Sequence, residues 1–439
     1  MTDFESQLRA AMESAVASRQ PPGNLVQQVR RRHRRHVLRV AVAGAAAVAV
    51  VAVLIPVGAG ALGHISGPAA KHPRKAAPTL YVAYAGNVCG ERPCVDNHKY
   101  PPTPSALIPI NTATNKAGNP VSGAGLSTFA STGQIAITPD GKTAYVLNDT
   151  GTVIPVSTAT NRAGRPIHVG QGHLGGPRFI AITPDGKTVY VANTGLNTVT
   201  PVSTATNRAG KPIPVGAAPV WIAITPDGKT VYAGNGSTVT PISTATNTPG
   251  KPIHLNGNPG EGFATVSPDG KTAYVATVNP DTVVPVSTAT NASGPPIHVG
   301  GDPAAIAVTP DGKTAYVISA PPSGPGTIIP LATATNTPGT PIRTSQGPDA
   351  IAFTPDGKTA YVTDDTSDTV IPISTATNAP GPPIHVGGHP AAIAVTPGGK
   401  TAYIADDTSG TVIPISTATN TPGKPIRIGG PLGGISVTP

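Results

Sequence analysis

Asp364, Asp365 and Asp368 fall within five residues, and Asp406 and Asp407 stand 42 positions beyond the first two. Carboxylates gathered this closely hold a hard cation such as Ca2+, which takes about six to eight oxygen ligands, attract a basic partner, or keep a loop solvated. A second set is scattered: His173, Arg178, Trp221, Glu261, Asp302, Asp349 and His389. These side chains could bind a ligand, but no Ser-His-Asp or Cys-His order runs through them, and nothing has the His-Glu-x-x-His spacing of a zinc site. The pattern therefore supplies ligand-binding candidates and no catalytic residue. No cofactor is implied beyond that one possible Ca2+ ion. Cys89 and Cys94 are the only cysteines. In an exported domain they form a local disulfide stapling the segment 85–104, the alternative being a zinc site with Asp96 and His98.

The elements that must position these groups repeat about every 42 residues. One unit runs Ile222-Ala-Ile-Thr-Pro-Asp-Gly-Lys-Thr-Val-Tyr232, then Thr238-Val-Thr-Pro-Ile-Ser-Thr-Ala-Thr-Asn247, then Gly250-Lys-Pro-Ile253. β-Branched residues alternate between fixed turn residues, so each unit reads as a four-stranded blade and the chain as an all-β propeller. Gly and Pro total 103 residues, a level that suggests low complexity, but they recur at fixed positions as turn residues do. The first strand type starts at Ile135, Ile180, Ile222, Ala264, Ile306, Ile351, Ile393 and Ile435, and the second at Tyr81 and seven later tyrosines. Eight blades follow; seven, with the divergent first unit outside the ring, is the alternative. Because the domain opens on a second-type strand and stops after a first-type strand, the two ends are expected to share a blade and close the ring.

The recurring turns are architecture. In Thr-Pro-Asp-Gly-Lys-Thr, Pro presets the turn and Gly takes its left-handed position, so Asp140, Asp185 and Asp227 are turn residues. Pro155, Pro201 and Pro241 interrupt the third strand type, where a missing N–H should leave an unpaired or bulged edge. His168, His254, His298 and His385 share one position of the fourth strand, at the outer rim. The two connections that vary between units fall on one face, and all of the candidates above lie in them.

Tyr190-Val-Ala-Asn193, Ser203-Thr-Ala-Thr-Asn207 and Thr183-Pro-Asp-Gly-Lys187 resemble the YVTN-repeat β-propellers, in a membrane-anchored bacterial, actinobacterial-like form. The resemblance covers roughly residues 79–439. It implies the scaffold and an exported or cell-surface setting, and it implies no activity.

Ahead of the propeller, residues 1–75 hold 11 Lys/Arg against 3 Asp/Glu, while the remaining 364 residues hold 19 against 18. The overall charge of +9 therefore belongs to the N-terminus, and nothing points to nucleic acid. Residues 37–62 read as a transmembrane anchor preceded by Arg30-Arg-Arg-His-Arg-Arg-His36, which places 1–36 in the cytoplasm and the propeller outside. A cleaved signal is the alternative, and both export the propeller. Residues 63–78 read as a Pro/Lys/Gly linker, and 79–439 as the propeller. The expectation is a membrane-tethered extracytoplasmic binding module for a protein or cell-envelope glycan. A lactonase-like propeller hydrolase or lyase and a transmembrane sensor are the alternatives.

Overall fold

The computed structural model describes residues 77–84, 105–121, 134–148, 150–170, 176–216, 218–235, 238–255, 263–278, 280–321, 324–345, 347–430 and 432–439. The basic segment, the anchor, Cys89, Cys94, His173 and Glu261 lie outside them. Among the described residues no helix is long and apolar enough to cross a membrane, and the one helical piece is a single 3-10 turn, Thr194–Leu196.

Eight antiparallel sheets make up the fold. Blade 2 shows the rule. Its inner strand is Ile135–Ile137, its second Thr143–Asn148 and its third Thr152–Ser157; two short pieces, Arg162–Ala163 and Ile167–His168, form the outer edge. The third-strand proline explains that broken edge. Pro155 has no N–H to offer outward, so the outer strand pairs only on either side of it, with Gly164 N–H reaching the Pro155 carbonyl at 2.7 Å in the gap. Pro201, Pro241, Pro330, Pro372 and Pro414 repeat that bond.

Blade 1 combines the two ends of the chain. Thr79–Tyr84 pairs with Ala106–Asn111 on one side and antiparallel with Leu432–Val437 on the other. The first unit is inside the ring, which excludes the seven-bladed alternative, and the last strand covers what would otherwise be an open sheet edge.

The core lies between blades. Strand alternation sends one set of apolar side chains toward each neighbour, so Phe179 and Ala181 of blade 3 pack with Ile222 and Ile224 of blade 4, while Ile180 and Ile182 pack back against Tyr145 and Leu147 of blade 2. Polar hydroxyls join the same blades. Each second-strand tyrosine donates its hydroxyl to the Asn that ends Thr-Ala-Thr-Asn in the next blade. The series runs Tyr81 to Asn161, Tyr145 to Asn207, Tyr190 to Asn247, Tyr232 to Asn291, Tyr274 to Asn336 and Tyr361 to Asn420, at 2.6–3.1 Å, with Tyr316 to Asn378 alongside. Tyr403 completes the circle on Asn115 at 2.5 Å. All eight asparagines are left-handed, with φ between 50° and 56°, a conformation Asn adopts more readily than other side-chain-bearing residues.

Candidate functional site

The two faces of the ring differ in kind. On one, the Thr-Pro-Asp-Gly-Lys turns and the Thr-Ala-Thr-Asn turns lie together, tied within each blade by bonds such as Thr158 Oγ1 to the Gly141 carbonyl at 2.6 Å. Neighbouring turns also touch: Pro184 lies against Gly228, Pro226 against Gly270, and the C-terminal Pro439 against Gly141. The turn aspartates serve their own turns. Thr138 Oγ1 donates to Asp140 Oδ1 at 2.7 Å and the Lys142 N–H donates at 3.0 Å, which hold that carboxyl below the usual carboxylate range. This face repeats nearly unchanged around the circle, with Gly398 in place of the turn aspartate in blade 8.

The opposite face carries the lead-in loops to the inner strands and the loops between second and third strands. Main-chain bonds lace the two together in three consecutive blades: Ala320 N–H to the Asp302 carbonyl, Asp365 N–H to that of Gly347, and Asp407 N–H to that of His389, at 2.9–3.1 Å. Candidate residues far apart in sequence thereby become neighbours. His389 meets both acidic residues of blade 8, since its N–H donates to Asp406 Oδ1 at 3.1 Å.

The five clustered aspartates are of two kinds. Asp364 and Asp406 close the second strands of their blades and are buried. Asp364 accepts from Ser345 Oγ and from the N–H groups of Thr366 and Ser367, and Asp406 accepts from those of Thr408 and Ser409. Asn148 does the same work in blade 2, accepting from Thr150 N–H at 2.9 Å. Both carboxylates cap their loops, so the expectation of one five-carboxylate patch gives way to a display of three: Asp365, Asp368 and Asp407, each partly exposed. Asp368 sits at φ 56°, and its carbonyl accepts from Val386 N–H. Among the described residues no three His, Cys, Asp or Glu side chains are placed to share a metal ion.

A β-bulge sorts the lead-in residues. In blade 3, Asn193 pairs with Pro177 and Ala192 with Phe179, so Arg178 is the extra residue; in blade 7, Asp349 lies in the corresponding shift between Pro348 and Ile351. Bulges re-aim side chains, and both residues are half-buried at the rim of an inner strand. Trp221 stands one place past the bulge in blade 4, paired with Gly234, and the residue is 4% exposed. A β-carbon at Gly234 would overlap the indole. Trp221 is therefore a core residue seated on a glycine, which corrects its expected role as a surface ligand-binding group. Gly234→Ala should cost about 1–3 kcal/mol by overpacking, read as a lower urea midpoint at unchanged slope, and Trp221→Phe in the same chain should recover part of it. Additive costs would contradict the packing.

Asp302 and His389 complete the lead-in set, partly exposed in blades 6 and 8. The four histidines of the outer strands stand exposed at the outer rim, as expected, each opposite the first Thr of a third strand. A groove of about 390 Å3 between blades 6 and 7 is lined by Pro330, Ile342, Arg343 and Asn378, away from the candidate residues. The tyrosine–asparagine belt escaped sequence reasoning, although one Tyr and one Asn per unit were the signal.

Closed rings of this kind, with one uniform face and one variable face, define the chain as an eight-bladed β-propeller. Solved structures agree on the fold. The chain is similar to the dihydro-heme d1 dehydrogenase NirN, at 14% identity and a TM-score of 0.66, over 84% of this chain and 77% of that one. It is similar to apo AztD from Citrobacter koseri, at 11% identity and a TM-score of 0.59, over 82% and 98%. Hydrazine synthase of Kuenenia stuttgartiensis aligns at 23% identity and a TM-score of 0.54, over 68% and 99%. At these identities the likeness is one of fold alone. No family model and no curated protein matches the sequence.

Proposed function

We propose that this chain is a membrane-tethered, extracytoplasmic propeller of the YVTN-repeat type whose variable face binds a protein or a cell-envelope glycan. The observation that carries the reading is the difference between the faces. One is tied into a repeated hydrogen-bonded surface; the other presents Arg178 in blade 3, Asp349, Asp365 and Asp368 in blade 7, and His389 and Asp407 in blade 8. Loops on a rigid scaffold are where binding residues concentrate. Leu196 is the one exposed large apolar side chain among the described residues, so the ligand meets polar and charged groups.

Crosslinking on intact cells tests this, comparing wild type with a variant carrying Asp365→Asn, Asp368→Asn and Asp407→Asn. These positions spare the buried caps Asp364 and Asp406. A discrete adduct lost in the variant, with its melting temperature unchanged, is the expected result. An adduct of equal yield in both chains would remove the acidic loops from the binding site.

A further inference from the structure

We propose that the uniform face docks on an anionic phospholipid surface, so that the variable face points away from the bilayer. The proposal rests on the tethered reading above and adds an orientation to it.

Charge divides between the faces. Among the described residues, the uniform face carries ten Lys/Arg against six Asp, a balance of +4, and Arg165, Lys211, Lys251 and Lys424 add four positive charges at mid-height of the outer edge. The variable face, with its rim, carries eight Asp against Arg178, Arg343 and Arg427, a balance of −5. No lysine among the described residues lies on the variable face. Seven lysines, from Lys142 to Lys400, follow the inner turns. Arg162, Arg165, Arg208, Lys211, Lys251 and Lys424 extend the charge across the outer part of the blades, where no acidic residue answers them. Six turn lysines reach their own aspartate at 3.3–3.7 Å, yet their side chains stay 81–83% exposed. The partner aspartates are turned back onto the Thr or Ser hydroxyl and the Lys N–H of their own turns, so the lysines form the outermost layer.

The chain also enters on this side. Pro78 O accepts from Thr112 N–H at 3.3 Å and from Thr112 Oγ1 at 2.5 Å, the place that Lys142 O and Gly141 O occupy beside Thr158 in blade 2. Thr79 N–H then donates to Thr438 Oγ1 at 2.8 Å. A tether arriving here presents this face to the membrane first. The attraction of anionic lipid for basic groups acts within about a Debye length, so it reaches these lysines once the face meets the leaflet.

Amine footprinting of the full chain tests the orientation, because the lysines are their own reporters. The chain is reconstituted in phosphatidylcholine vesicles with and without phosphatidylglycerol, and integration is checked by flotation after an alkaline wash. The expected result is severalfold slower acylation of Lys187, Lys229, Lys271 and Lys313 on phosphatidylglycerol-containing vesicles only, reversed by salt. In a second chain carrying Lys187→Glu and Lys229→Glu, Lys271 and Lys313 should lose that protection while the melting temperature holds. Equal acylation on both vesicles by an integrated chain overturns the docking and leaves the tether intact. A chain that washes off has lost the tether; lysines left unprotected on anionic vesicles in that state also overturn the docking. Protection by soluble polyphosphate but not by vesicles would assign the face to a polymer and overturn the proposal.

Discussion

Removing residues 431–439 is expected to abolish cooperative unfolding of the propeller. The deletion takes out the inner strand of blade 1, Leu432–Val437, which joins the two ends of the chain in one sheet. Leu432 and Ile435 are each 2% exposed, and losing two such side chains costs about 3–6 kcal/mol. The edge of Thr79–Tyr84 would lose its partner as well, and blade 8 would lose the neighbour against which Ala392 and Ala394 pack. Since whole domains are stable by about 5–15 kcal/mol, little would remain. Differential scanning calorimetry decides it: a broad or absent transition supports closure by this strand, and a sharp transition at the wild-type temperature contradicts it.

The second large effect is alkaline unfolding. Burial pushes Tyr81, Tyr145, Tyr190, Tyr232, Tyr316 and Tyr403 up to about 12, and raises Tyr274 and Tyr361 as well. Each hydroxyl donates to an asparagine oxygen, a bond that a phenolate cannot make. An unfolded chain releases these protons near pH 10, earlier than the folded one, and about two pH units earlier for the six pushed to about 12. Between those values the unfolded state binds fewer protons, so stability falls as pH rises. The contribution is complete below pH 10 and is lost as pH climbs through about 12. Two pH units correspond to at most about 2.7 kcal/mol per tyrosine, so the six pushed to about 12 together rival the stability of an ordinary domain. Circular dichroism and tyrosinate absorbance, followed together, should show one coincident transition in this window. Gradual phenolate formation near pH 10 with the sheet signal intact would contradict the belt.

Much of the fold was legible because the repeat is an element of structure written eight times. The strand order at the two ends, Tyr81 first and Ile435 last, is enough to require a shared blade. The prolines of the third strand announced the broken outer edge. Relations between blades were harder to read. Tyr145 and Asn207 are 62 residues apart and meet only because one blade leans on the next. The candidate site was legible as a face and less so as residues. Asp364 and Asp365 are adjacent and look alike in sequence, but the second strand ends on the first of them, which buries it as a cap and leaves the second in the loop. Trp221 differs from Arg178 by one register position past the bulge, and because the inner strands are apolar on both faces the phase shift of a bulge does not show in the sequence.

The charge split and the binding reading make one combined claim, that the two faces have different neighbours. Photo-crosslinking residues placed one at a time at Thr366 and Thr408 on the variable face, and at Ala205 on the uniform face, test it directly in intact cells. All three positions are exposed. The account predicts a discrete protein or glycan adduct from Thr366 and Thr408 and lipid adducts from Ala205. A discrete adduct from Ala205, with none from the two variable-face positions, would reverse the assignment of the faces and contradict the account.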